Sequence, residues 1–152
     1  MSAQASPHEG MGHDLYPADY LRGLLERVRV IGMVGASPER WRPSFGIMRY
    51  LQGAGYRVIP VNPTHAGTQL HGERVISSLT EADAPLDLVN VFRRADAVGA
   101  VVEDAIQAGA PAIWLQLGIR NDEASRRAEE AGIAVVMNRC ISVEHARLMR
   151  GM

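Results

Sequence analysis

With 152 residues, 47% of them hydrophobic and 22% charged, the chain has the makeup of one ordinary globular domain with enough apolar material for a core of its own. Sixteen basic side chains nearly cancel seventeen acidic ones, which excludes a global field drawing the protein to nucleic acid or anionic lipid. The single Cys140 excludes an intrachain disulfide and fits a reducing cytoplasm, and no apolar stretch approaches the ~18 residues of a membrane span.

The first residues, "MSAQASPHEGMGHD", lack a basic patch followed by an apolar run, so they read as a mobile polar tail over 1–14 and not as a secretory signal. A single domain over 15–152 follows. "YPADYLRGLLERV" carries Tyr20, Leu21, Leu24, Leu25 and Val28 at helical spacing, with Pro17 suited to the first turn. The period then changes: "VRVIGMV" is a short β-branched run, the pattern of a strand buried on both faces. "PSFGIMRYLQGAG" returns to helical spacing and stops at Gly53 to Gly55. "YRVIPVNP" is a second strand, "THAGTQLHGERV" an irregular connection, and "SSLTEADAP" a short turn or helix. "LDLVNVF", "PAIWLQLG" and "IAVVMN" make a third, fourth and fifth strand, separated by helices over 95–110 and 121–132, and "SVEHARLMRG" closes the chain as a helix.

Five apolar runs alternating with helices predict an α/β fold: a Rossmann-like, doubly wound, mostly parallel five-stranded sheet in three αβα layers, with strand order 3-2-1-4-5. Such sheets bind ligands beyond the carboxyl ends of their strands, where the strand order reverses. Those ends here are Gly35-Ala36-Ser37-Pro38, Val61-Asn62-Pro63, Phe92-Arg93-Arg94, Gln116-Leu117-Gly118 and Asn138-Arg139-Cys140. In the first of them, Gly35 lets backbone approach a neighbour closely and Ser37 adds a hydroxyl. The helix beginning near Pro43-Ser44 offers unpaired N–H groups and a positive dipole end to an anion, and Arg40 and Arg42 add charge-assisted bonds. All sixteen basic side chains are arginines, so arginine is the permanently charged partner available to a phosphate.

A nicotinamide dinucleotide fits poorly. Gly32-Met33-Val34-Gly35-Ala36-Ser37 lacks the G-x-G-x-x-G spacing, and the second strand ends Pro60-Val61-Asn62-Pro63 without the acidic residue that holds a ribose. No G-x-S-x-G elbow marks a hydrolase, and no G-K-S or G-K-T marks a P-loop.

The segments "IGMVGASPERWRPSFGIMRYLQGAGYRVIPVNP", "LDLVNVFRR", "AIWLQLGI" and "VVMNRC" stand in an order and at separations that resemble the small CoA-binding proteins, whose fold is that of the nucleotide-binding domain of the succinyl-CoA synthetase α subunit. The resemblance covers roughly residues 15–150. It implies that Gly35, Ala36, Ser37 and Pro38 contact CoA phosphates, and that Val61, Asn62 and Pro63 lie where the family closes around the adenosine. It implies further that Val91, Phe92 and Arg93 lie beside the adenine and diphosphate, and that the pantetheine arm leaves near Leu115, Gln116 and Leu117. Relatives often carry lysine directly after the proline of the second loop; Thr64-His65 stands there instead, making a cationic contact depend on His65.

Cofactor-binding candidates are therefore Gly35, Ala36, Ser37, Pro38, Arg40, Arg42, Ser44, Asn62, Pro63, Thr64, His65, Val91, Phe92, Arg93, Gln116 and Leu117, with coenzyme A or an acyl-CoA as the small-molecule ligand. No catalytic or metal-binding residue is assigned: no histidine falls in a segment matching the synthetase's phosphohistidine module, so the resemblance implies binding without ligase chemistry. Nucleic acid and membrane are not expected partners; a homodimer or a protein partner stays open, as do two rival readings, an NAD(P)-binding oxidoreductase or redox sensor and a subunit-docking module. Trp41, between Arg40 and Arg42, is equally a ligand contact, a partner contact or a hinge plug. Cys140 reads as a small buried residue, with a helix-end thiol as the alternative.

Overall fold

The computed structural model describes residues 13–149, so all but the last two residues of the expected tail lie outside the described ones. Those two are held in place. The ring of His13 meets the Tyr16 hydroxyl at 2.6 Å, and Asp14 accepts from Arg120 at 2.7 Å.

Helix α1 (Ala18–Arg27) starts after Pro17, whose carbonyl accepts from the N–H groups of Tyr20 and Leu21, and it buries Tyr20, Leu21, Leu24 and Leu25. Five strands then form one parallel sheet: β1 (Val30–Val34), β2 (Arg57–Val61), β5 (Leu88–Val91), β6 (Ala112–Leu115) and β7 (Ala134–Val136). The expected irregular connection contains a small antiparallel pair, β3 (Gln69–Leu70) with β4 (Glu73–Arg74). Helices α2 (Pro43–Gly53), α3 (Val98–Gln107), α4 (Asp122–Glu130) and α5 (Ile141–Met149) complete the chain.

The sheet order is β2-β1-β5-β6-β7, which numbers the five strands 2-1-3-4-5 and corrects the expected 3-2-1-4-5. Two local features exclude the third strand from the outer side of β2. That edge is already occupied: Ile76 bridges Val61 in parallel, donating to the Pro60 carbonyl at 3.0 Å and accepting from Asn62 at 2.8 Å. Pro60 is tolerated inside β2 because its nitrogen faces this outer edge. Asp87, at the entrance to β5, meanwhile accepts from the N–H groups of both Arg29 and Val30 at 2.9 Å, pinning β5 beside β1. Arg57 fastens the intervening segment through Glu73 at 3.0 Å and Asp83 at 2.9 Å.

Strand alternation sends side chains into two cores, one on each face. Ile31, Met33, Val58, Leu88, Trp114 and Val136 join Leu21, Leu25, Met48 and Leu51 from the first two helices. Val34, Ile59, Val89, Val91, Ile113 and Val135 pack with Val98, Val102, Ala105 and Ala128 from α3 and α4. The register levels the strand ends: Val34 pairs with both Val61 and Val91, and Val91 with Leu115. Each ladder also extends one residue further, through Gly35 N–H to Val61, Phe92 N–H to Val34 and Gln116 N–H to Val91. Four turns therefore leave the sheet side by side along one edge, and the order reverses between β1 and β5.

Candidate functional site

That edge holds an open cleft of ≈ 990 Å³, at the upper end of the size that small-molecule and cofactor sites use. Of the sixteen residues proposed from sequence, the cleft brings together Gly35, Ser37, Arg42, Ser44, Asn62, Pro63, Thr64, His65, Phe92, Arg93, Gln116 and Leu117. Ala36 and Val91 are not on its surface; both are buried, at 1% and 0% exposure, beneath its floor. Pro38 and Arg40 are exposed but lie outside the lining.

The turn after β1 is shaped by its own neighbours. Gly35 has φ +86°, and a Cβ there would stand 2.7 Å from the Phe92 carbonyl oxygen and 3.3 Å from Cδ of Arg93. The space that glycine leaves open is thus filled by the turn that follows β5, which lets the two turns at the reversal point touch. The aliphatic part of Arg93 also runs back over this turn. Ser44, buried in the first turn of α2, accepts the Ser37 N–H on its Oγ at 3.1 Å, and the Ser37 hydroxyl accepts the Glu39 N–H at 3.1 Å. The α2 end carries Pro43 at its start and no side-chain cap, so its positive end faces the cleft uncovered.

Asn62 acts as a latch. Its Nδ2 donates to the Ala36 carbonyl at 2.8 Å and its Oδ1 accepts from Thr64 N–H at 3.0 Å, joining the β2 turn to the β1 turn. Both halves of the amide are committed, and no carboxylate stands at the end of β2. The turn Pro63–His65 follows directly and forms one wall.

Six further lining residues were not among the sequence candidates: Glu39, Trp41, Pro43, Ile47, Ile119 and Cys140. Trp41 is 70% exposed, with the Arg42 guanidinium 4.5 Å from its ring centre. Ile47 was readable in principle, one helical turn beyond Ser44. Cys140 corrects the expectation of a buried filler: it is only half-buried and forms part of the wall. Burial pushes its thiol pKa up. Hydrogen bonds from the Ser142 side chain (3.3 Å), the Val143 N–H and the Gln116 side chain outweigh that, holding it below the usual cysteine range. Gln116 itself is fixed by accepting the Ile141 N–H at 3.3 Å.

Chemically, the middle of the cleft suits an anion: the α2 terminus, Arg42 and Arg93 line it around the β1 turn, against the single carboxylate of Glu39. Its two ends differ. Beside β2 it is polar, with Thr64 and His65; beside β6 and β7 it carries Leu117 and Ile119 together with the Gln116 amide and the Cys140 thiol, and no charged side chain. Among the described residues, no group of three or more His, Cys, Asp or Glu is placed to hold a metal ion, and no helix is long and apolar enough to cross a membrane.

A family model described as "CoA binding domain" matches residues 29–146. The uncharacterized protein YneT of Bacillus subtilis (strain 168) is 40% identical over 126 residues, spanning 83% of this chain and 92% of that protein. A solved structure of a hypothetical protein from Pyrococcus horikoshii OT3 is 33% identical with a TM-score of 0.85, covering 98% of this chain and 99% of its own. Another, cell-free ID.343 from Thermus thermophilus, is 38% identical with a TM-score of 0.84 and covers 88% of this chain and 100% of its own.

Proposed function

The chain belongs to the CoA binding domain family, and from that premise we propose that its cleft binds coenzyme A or an acyl-CoA and carries out no bond-making chemistry of its own. One observation carries the reading: the cleft opens at the strand-order reversal between β1 and β5, centred on the Gly35 turn and the uncapped start of α2. The α2 N–H groups with Arg42 and Arg93 hold the diphosphate. The walls at Asn62 to His65 and at Phe92 take the adenosine, and Gln116 and Leu117 receive the pantetheine arm. The residues present fit such a ligand: a polar end, a middle with two arginines to one glutamate, and an end carrying Leu117 and Ile119 succeed one another along a single groove.

The same geometry disfavours a nicotinamide dinucleotide. Asn62 occupies the position where a ribose-binding carboxylate would sit, and its amide is spent on Ala36 and Thr64. Thermal unfolding in the presence of CoA, NAD and NADP tests the proposal. CoA at a hundred times its dissociation constant adds about 2.7 kcal/mol, which raises the melting temperature of a domain this size by about 5–10 °C. A shift with NAD or NADP and none with CoA would overturn it.

A further inference from the structure

Resting on the coenzyme A reading above, we propose that the acyl group this site accepts is an uncharged aliphatic one, and that the cleft discriminates against acyl groups bearing a second carboxylate. With phosphates held at the β1 turn, a CoA-type ligand must extend both ways along the sheet edge. Towards β2 the groove ends against the Asn62 latch and the polar Pro63–His65 turn. The thioester end therefore runs the other way, past β5 to the ends of β6 and β7, two and three strand spacings of about 4.8 Å away.

The surface there carries Leu117 and Ile119 beside the Gln116 amide and the Cys140 thiol, and no charged side chain. Leu117 is 65% exposed at the cleft rim, an unusual position for a leucine with no partner to cover it, and Ile119 lies beside it in the lining. Cations are near in sequence, but each is engaged elsewhere. Arg139 donates to the carbonyls of Asn138 (3.0 Å) and Asp14 (3.1 Å), with its guanidinium 5.2 Å from the Tyr16 ring centre. Arg120 is tied to Asp14 at 2.7 Å and Asp122 at 3.1 Å. Neither lines the cleft. The charged side chains that do, Glu39, Arg42 and Arg93, belong to the middle: Arg93 folds back towards Gly35 and Arg42 lies on Trp41. The polar groups at this end are also committed, with Asn138 Oδ1 accepting from Gly118 at 2.7 Å and Gln116 Oε1 from Ile141. A methyl-terminated chain is covered by Leu117 and Ile119. A carboxylate in the same place loses water and gains no counter-charge.

Isothermal titration with CoA, acetyl-CoA, butyryl-CoA and succinyl-CoA tests this, since butyryl and succinyl groups differ by a terminal methyl against a carboxylate. Affinity is expected to rise by two- to fourfold per buried methylene from acetyl to butyryl, and succinyl-CoA to bind on the order of tenfold more weakly than butyryl-CoA. Leu117→Arg supplies the missing cation at an exposed position, and it should shift the succinyl-to-butyryl preference at least several-fold towards succinyl, in a salt-dependent way. Leu117→Ser should flatten the methylene increments. If CoA binds but the acyl series is flat, or succinyl-CoA equals butyryl-CoA, this inference is wrong and the coenzyme A reading survives. If no member of the series binds, both fall.

Discussion

Replacing Gly35 by alanine puts the reversal-point geometry to its sharpest test. At φ +86° a side-chain-bearing residue is strained by about 1–2 kcal/mol. The new Cβ would also meet the Phe92 carbonyl oxygen at 2.7 Å and its carbon at 3.0 Å. Those are backbone atoms of the residue directly after β5, held to Val34 by its own N–H, so the two turns must separate, adding about 1–3 kcal/mol of overpacking. The alanine's smaller freedom in the unfolded chain returns about 0.4–1 kcal/mol. The net is a loss of about 1–5 kcal/mol, or about 2–18 °C in melting temperature for a domain of this size. Urea unfolding followed by fluorescence reads it well, because Trp114, on β6 beside β5, is fully buried in the core that α1, α2 and α5 cover. Since Phe92 and Arg93 form cleft wall, CoA affinity should fall at least tenfold in protein that is still folded. A Gly35→Ala variant within about 0.5 kcal/mol of the parent would refute the argument that β5 fills the space above this glycine.

Four smaller effects follow from the same contacts. Asn62→Asp exchanges the donor facing the Ala36 carbonyl for an anion, and should cost about 1–3 kcal/mol by chemical denaturation while weakening CoA binding. Ser44→Ala strands the Ser37 N–H, with an expected loss of about 1–2 kcal/mol and a weaker phosphate contact measured by titration. Cys140, with its thiol pKa lowered, should be alkylated by iodoacetamide at a lower pH than a free cysteine, and bound CoA should slow the reaction; indifference to CoA would place the ligand elsewhere. Tyr16 is pushed up to about 12 by burial, so its neutral form is the one the fold favours. Stability from this group is fully present below the usual 10.0 and is lost as pH rises towards about 12, which alkaline unfolding of the parent against Tyr16→Phe resolves.

The alternation of β-branched runs with helical stripes was enough to identify the fold class, because a parallel strand covered on both faces leaves a short, continuous apolar signature. Strand order was not legible in the same way. Leu88 to Val91 are buried equally well beside β2 or beside β1, and the choice rests on contacts far apart in sequence: Ile76 on the edge of β2 and Asp87 against Arg29 and Val30. Turn chemistry marked the edge of the sheet where the cleft opens, yet it did not separate residues that face the cleft from residues that support it. Ala36 and Val91 sit in motif positions but point into the interior. Ile47 and Cys140 come from a helix face and a helix start that meet when α2 and α5 pack on the same side of the sheet, while Ile119 comes from a loop that packs on the other core. Gly35, singled out in the sequence as a ligand contact, leaves the space of its missing side chain to Phe92.

The most direct measurement is calorimetric titration of CoA into the full chain. The account predicts one site per chain with a dissociation constant in the micromolar range or tighter, equivalent to about 8 kcal/mol, and a loss of that binding in Gly35→Ala. Absence of any binding heat with CoA across temperatures, from protein that melts cooperatively, would contradict it.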